Sequence, residues 1–297
     1  MLLESPLFQQ LVSRVGNTPL VKWGDVDGAT IWLKLEGQNP SGSLKDRHVI
    51  GILRDLNERG ILAPEKEFID TSSGSYASAL AMWGAVLGMK VNIVTRETIE
   101  NTYKLYFDYV GANLILHGTN NAAGHEHCKC LYEDCPEKYI FTDQMNNKAA
   151  ANEHQNTAKE ILDTLDGDVA AIFTNLGSGA NLAGMKAHVD KIGHGLQMYA
   201  VTQAKDAAGS FVGTWKEGYV KSFYAESIKA DPSIREVQTS YSAGLPLWKE
   251  HLLSKGFTVG QATSGALEAA IRTIKSDGLE GNIVLLSGNQ YGWNVPA

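Results

Sequence analysis

Apolar positions along the chain switch repeatedly between two periods. Short runs rich in β-branched residues, Thr30–Leu35, Glu67–Asp70, Val91–Val94, Asn113–Leu116, Val169–Phe173, Met198–Val201 and Asn282–Leu286, read as strands, and helical patterns separate nearly all of them. The clearest helix starts near Ser43, places Val49, Ile52, Leu53 and Leu56 on one face by the i, i+3, i+4, i+7 rule, and stops at Gly60. A second runs from Ser75 to Leu87 and ends at Gly88, and a third covers about Asn121 to Asp134. Strands that alternate with helices predict an α/β fold of parallel sheets with helices on both faces. The alternation restarts after Gln144, which places a lobe boundary near residues 145 to 150. From Lys205 to Ser233 the periodicity fails, in a Gly- and aromatic-containing stretch left without an assignment.

Composition narrows the classes of function. A chain of 297 residues, 43% hydrophobic and 20% charged, is long enough to bury a full core and form two lobes. Its net charge of −7 argues against nucleic acid as a partner, because a polyanion needs a basic face to release its counterions. Any bound anion must therefore be held by a local pocket. No apolar run approaches the roughly 20 residues of a bilayer span, and Met1–Gln10 lacks the pattern of a signal peptide, so the expectation is a cytoplasmic protein without a membrane partner. Cys128, Cys130 and Cys135 are odd in number and crowded, which excludes a disulfide framework. With His125 and His127 they match no common zinc spacing, so no metal is expected.

Three strand-to-helix loops carry candidate chemistry. In Asn39-Pro40-Ser41-Gly42-Ser43-Leu44-Lys45-Asp46-Arg47 a Pro/Gly turn leaves Lys45 in the first turn of a helix, where the dipole disfavours a cation. An imine to an aldehyde cofactor would relieve that cost, while a solvated lysine beside Asp46 is the plain alternative. In Asn175-Leu176-Gly177-Ser178-Gly179-Ala180-Asn181, small residues between an apolar strand and a helix suit a phosphate, because free N–H groups converge there. The segment has neither the dinucleotide G-x-G-x-x-G nor the P-loop G-x4-G-K-[ST], which disfavours nucleotides. Thr71-Ser72-Ser73-Gly74-Ser75-Tyr76 offers hydroxyls and N–H groups to an anion such as a substrate carboxylate, or else simply caps a helix.

Taken in order, these segments resemble the fold-type-II pyridoxal-phosphate enzymes, in the cysteine synthase and cystathionine β-synthase branch. The likeness rests on Val15-Gly16-Asn17-Thr18-Pro19-Leu20, on Lys34-Leu35-Glu36 with Asn39-Pro40 and Ser43-Leu44-Lys45-Asp46-Arg47, on Gln144-Met145-Asn146-Asn147 with His154, on the Gly177–Asn181 loop, and on Ser287-Gly288 with Tyr291. It implies a two-lobed, tryptophan synthase β-like fold, with residues 36–147 as the smaller, mobile lobe and 1–35 with 148–297 as the larger one. It also implies pyridoxal 5'-phosphate on Lys45, with Ser75 at the cofactor ring, Gly177, Ser178, Gly179, Ala180 and Asn181 at the phosphate, and Ser287 at the pyridine nitrogen. Ser72, Ser73, Ser75, Tyr76 and Gln144 would bind the substrate carboxylate.

The activity implied is β-replacement on an O-activated serine through an aminoacrylate, with a small-molecule nucleophile and a homodimeric enzyme. A serine at the ring nitrogen makes a weaker electron sink than an aspartate and favours loss of a β-substituent. A β-eliminating lyase or serine/threonine dehydratase on the same scaffold, and a non-catalytic relative that binds cofactor or partner, are the competing readings. The chain departs from its relatives in the substrate loop, where Ser75 and Tyr76 stand for the usual asparagine and threonine, unless Thr71-Ser72 are the counterparts and one residue is inserted. It departs also in Ala180 and Asn181 of the phosphate loop and in Asn289-Gln290. These differences lead to the expectation that Tyr76 narrows or reorients the substrate site.

Overall fold

A computed structural model describes residues 2–72, 74–99, 101–206, 209, 214, 221–255 and 258–289. Its strands are β1 (Leu20–Val26), β2 (Ala29–Leu35), β3 (Glu67–Thr71), β4 (Val91–Thr95), β5 (Asn113–Leu116), β6 (Tyr139–Phe141), β7 (Ala171–Asn175), β8 (Gln197–Gln203), β9 (Ile234–Thr239) and β10 (Gly281–Ser287). The α-helices are α1 (Pro6–Val12), α2 (Lys45–Glu58), α3 (Ser75–Leu87), α4 (Asn101–Tyr109), α5 (Asn121–Asp134), α6 (His154–Thr164), α7 (Ala180–Ile192), α8 (Phe223–Ala230), α9 (Tyr241–Lys255) and α10 (Gln261–Asp277).

Two sheets result. One has six strands in the order β1-β2-β10-β7-β8-β9, parallel except for the β1–β2 pair, and the other has four parallel strands in the order β5-β4-β3-β6. The α/β expectation holds. Period-two alternation splits each central strand between two cores: Ile172, Val284 and Leu286 pack with Ile161, Leu182 and Met185 of α6 and α7, while Phe173, Ile283 and Leu285 pack with Leu267, Ala270 and Ile274 of α10. In the smaller sheet Phe68 and Ile93 meet Val49, Ile52, Leu53 and Leu56, the face expected on α2, together with Trp83 of α3. On its other side Ile69 and Val94 cover Cys128 of α5, so that thiol is core filling.

Several boundaries differ from expectation for local reasons. β7 runs two residues further than Val169–Phe173 because Thr174 and Asn175 pair with Ala200 and Val201 although their side chains are polar. β1 and β9 are edge strands at the two ends of the larger sheet, and their half-exposed, charged sequences carry little apolar signal. The unassigned Lys205–Ser233 stretch contains α8, capped by Ser222 accepting from Ala225 N; much of the remainder lies outside the described residues, as do Ser73 and Tyr291. No described helix is long and apolar enough to cross a membrane.

Candidate active site

The loop before α2 is fastened at both ends. Gly42, at φ +83°, donates to the Asn39 carbonyl across a tight turn at 2.8 Å. Ser41 donates through both its N–H and its hydroxyl to the Asp46 carboxylate, which also accepts from Trp83 Nε1 at 2.6 Å. Burial lifts the Asp46 carboxyl to about 6 against these hydrogen bonds. On the far side Leu44 N donates to the Gly288 carbonyl at 2.8 Å, and Ser43 bridges to Asn289, so the loop is clamped to the end of β10. A Cβ at Gly288 would sit 2.7 Å from Leu44 Cδ2, so a larger residue there would make the Leu44 side chain shift.

This clamp brings the start of α2 to the carboxyl ends of β10 and β7, where ligands bind in open α/β sheets. A cavity of about 80 Å³ lies there, lined by Lys45, Ser75, Thr174, Asn175, Gly177, Asn181, Thr263 and Asn289 among others. Lys45 is partly open to it and otherwise surrounded by protein, and desolvation lowers its pKa to about 7. Opposite, the turn 177–179 leads into α7. None of the N–H groups of Gly177, Ser178, Gly179, Ala180 and Asn181 has a main-chain acceptor among the described residues. Gly179 has φ +85° and lies so close to α8 that a Cβ would be 2.7 Å from Ala225 N. Ser222 Oγ donates to the Ser178 carbonyl at 2.7 Å, which fixes the turn from behind. Unpaired N–H groups at a helix start opposite a neutral-prone amine fit a ligand that carries a phosphate at one end and an aldehyde at the other.

The remaining expected residues have distinct places. Ser75 lines the cavity and its Oγ accepts from Asn289 Nδ2 at 3.5 Å. Asn181 spends its amide on Thr174 Oγ1 at 2.7 Å. Ser287 is buried, its Oγ accepting from Thr263 Oγ1 at 3.3 Å. Ser72 Oγ accepts from Gly74 N at 3.2 Å, which shapes the turn before α3. Gln144 is buried and ties two strand ends together: its Nε2 donates to the Thr71 carbonyl at 2.8 Å and its N–H to Asp70 at 2.9 Å.

Tyr76 is 2% exposed, and its hydroxyl donates to Thr142 Oγ1 at 2.9 Å, which in turn donates to Asp70 at 2.6 Å. Its ring belongs to the core of the smaller sheet, so it can bear on the substrate loop by setting the start of α3. Tyr76→Phe is expected to cost about 1 kcal/mol in denaturant unfolding, since one buried hydroxyl bond is lost and Thr142 keeps its own acceptor. A change of several kcal/mol would contradict this placement.

The residues not singled out beforehand are Thr174, Thr263 and, above all, His48. His48 Nε2 is 3.0 Å from Lys45 Nζ. Its signal was available in the i, i+3 spacing from Lys45, which puts both on one face of α2.

Comparison with known proteins finds relatives of the same fold. A cysteine synthase of Aquifex aeolicus is 30% identical over 302 aligned positions, covering 95% of this chain and 90% of that one. Among solved structures, a hydrogen sulfide-producing enzyme from Fusobacterium nucleatum superposes with a TM-score of 0.83 at 25% identity, over 96% of this chain and 97% of the other. A cysteine synthase from Entamoeba histolytica shares the fold at TM-score 0.82 and 24% identity, over 94% of this chain and 87% of that one. The family profile described as pyridoxal-phosphate dependent enzyme matches residues 12–288, and the chain belongs to that family.

Proposed function

We propose that this enzyme carries out β-replacement on an O-activated serine-type amino acid, giving cysteine or a related β-substituted alanine. The observation that carries the reading is the Lys45 amine, desolvated to a pKa of about 7 in a cavity also lined by Gly177 and Asn181, the ends of a turn whose N–H groups have no main-chain acceptor among the described residues. Lys45 would hold the aldehyde of pyridoxal 5'-phosphate. Gly177, Ser178, Gly179, Ala180 and Asn181 would hold its phosphate, and Ser75 and Ser287 would lie against the ring. When bound, the cofactor supplies the electron sink that makes a Cα–H bond acidic and a β-substituent a leaving group.

The chain's own residues do the rest. Freed Lys45 Nζ, with a large neutral fraction near pH 7, takes the Cα proton. The Ser287 hydroxyl is a weak partner for a pyridine nitrogen and does not hold it charged, which disfavours long-lived carbanion chemistry and favours β-loss. Ser72, Ser73 and Gln144 would receive the substrate carboxylate, and Tyr76 would set the loop that carries them. On the same reading residues 36–147 form a lobe that closes over substrate against 1–35 and 148–297, and the enzyme is a cytoplasmic homodimer.

The test is the visible spectrum of the purified protein, recorded with serine, O-acetylserine, O-phosphoserine and cysteine added in turn. One O-activated donor should shift the cofactor band, and a nucleophile such as sulfide should restore it while a new β-substituted alanine forms. Pyruvate released without a second substrate would make the enzyme a lyase. A band indifferent to every amino acid would make it a non-catalytic binder.

A further inference from the structure

Behind Lys45, away from the ligand cavity, lies a buried chain of imidazoles that the reaction outlined above does not use. His48 and His154 are both fully buried, and their rings meet edge to face at 4.8 Å. His48 Nε2 lies 3.0 Å from Lys45 Nζ and 3.4 Å from Ser178 Oγ, while His48 Nδ1 lies 2.9 Å from His154 Nε2. His154 Nδ1 in turn is 3.2 Å from Thr157 Oγ1. The chain thus runs from the lysine amine on α2, past the phosphate-type turn, into α6.

Lys45 and Ser178, the two neighbours of His48 Nε2, both have protons to give. The other polar neighbours of the ring are His154 Nε2 and the main-chain carbonyl of Leu44, which can only accept. The arrangement consistent with an acceptor toward Lys45 has His48 Nε2 bare, His48 Nδ1 donating to His154 Nε2, and His154 Nδ1 donating to Thr157 Oγ1. The charged and titratable groups that bear on this pair are Lys45 and Arg47 of α2 and Glu160 of α6. Burial, followed by the positive charges nearby, keeps both rings neutral well below the usual histidine range, so His48 is free to accept.

We infer that His48, held by His154, is a positioning residue for Lys45: it accepts one amine N–H and thereby turns the nitrogen lone pair to the cavity. The inference rests on Lys45 being the cofactor lysine. An apolar residue would fill the same space without the cost of burying two imidazoles, which is recovered only if their hydrogen bonds are made. An unrestrained primary amine rotates freely about Cε–Nζ. Fixing one N–H restricts that rotation and presents the nucleophilic pair in one direction. Because a hydrogen-bond acceptor stabilises an ammonium more than an amine, His48 also holds the Lys45 pKa higher than burial alone would set it.

The experiment follows uptake of pyridoxal 5'-phosphate by cofactor-free protein through its visible absorbance, between about pH 6 and 10, in the parent, His48→Leu, His48→Gln and Lys45→Ala. His48→Leu should slow the high-pH plateau by about tenfold and move the midpoint of the profile down by about half a pH unit or more. His48→Gln, whose amide oxygen can reach the place of Nε2, should recover the parent midpoint and most of the rate. Should His48→Leu fail to fold, Thr157→Val, which removes the far end of the chain at constant volume, should move the midpoint in the same direction. An unmoved midpoint and plateau in His48→Leu, or equal losses in Leu and Gln, would overturn the inference and leave a satisfied core pair. Formation of the parent's visible band in Lys45→Ala would instead overturn the cofactor-lysine reading itself.

Discussion

Lys45→Ala is expected to remove the cofactor's visible band and to lower the rate of β-replacement by about 10³-fold or more, because on the proposed mechanism it deletes both the covalent anchor and the base. The loss should not be repaired by added cofactor, since a phosphate held at the proposed Gly177–Asn181 turn would not place a base at Cα. In the parent the rate should rise as pH increases through about 7, where Lys45 gives up its proton. The sign follows from burial: desolvation penalises the ammonium, so the amine form is present in quantity at a pH where an exposed lysine would be almost wholly charged. Steady-state product formation with O-acetylserine and sulfide, with the spectrum recorded in parallel, checks both statements. Retention of a tenth of the parent rate in Lys45→Ala would remove this residue from the chemistry.

Glu36→Gln should destabilise the fold by about 3–5 kcal/mol, as expected when one member of a buried charge network is removed. Glu36 is fully buried and accepts from Arg47 Nε at 2.8 Å, Arg47 Nη2 at 2.9 Å and the Thr18 hydroxyl at 2.7 Å. Arg47 also donates to Glu160, which receives Lys34 Nζ at 2.6 Å. Two carboxylates and two cations balance, and neutralising one carboxylate leaves a cation uncompensated beside the loop that carries Lys45. Against a total stability of about 5–15 kcal/mol for an ordinary domain, that loss is about a third to a half of a mid-range value. A urea midpoint that falls with an unchanged slope is the expected readout.

The same network sets the acid limb of stability. Burial would raise the Glu36 and Glu160 pKa values, but the charges of Arg47 and Lys34 and the hydrogen bonds they give hold both below the usual carboxylate value. Their contribution is present above the unfolded-state pKa of about 4.3 and is lost as pH falls through the folded values. Glu36→Gln should therefore flatten stability against pH on the acid side. A variant as acid-sensitive as the parent would mean that the network is not what fails there.

Much of this molecule is written locally. The helix over α2, with Val49, Ile52, Leu53 and Leu56 inward, is set by a 3.6-residue period that needs no partner to be read, and so are Ser75–Leu87 with its left-handed Gly88 and Asn121–Asp134 with its Asn120 cap. Lys45 in a first helical turn and the small-residue run Gly177-Ser178-Gly179 announce themselves because turn chemistry and helix-end electrostatics act within a few residues. Only the folded chain could decide how distant pieces meet. β1 and β9 pair at sheet edges, where half their side chains face water and no apolar pattern forms. Tyr76 turns into the core because Thr142, 66 positions away, offers its hydroxyl a partner.

By itself, then, the sequence determined α2, α3 and α5, most of the parallel strands and the lysine and small-residue turn as separate pieces. Tertiary structure alone set Leu44 on Gly288, closed the cavity around Lys45, and put His154 against His48 across 106 positions. The physical reason is range. Dihedral preference and side-chain periodicity are properties of neighbours, whereas the depressed Lys45 pKa and the imidazole chain behind it exist only where packing excludes water from residues far apart in the sequence.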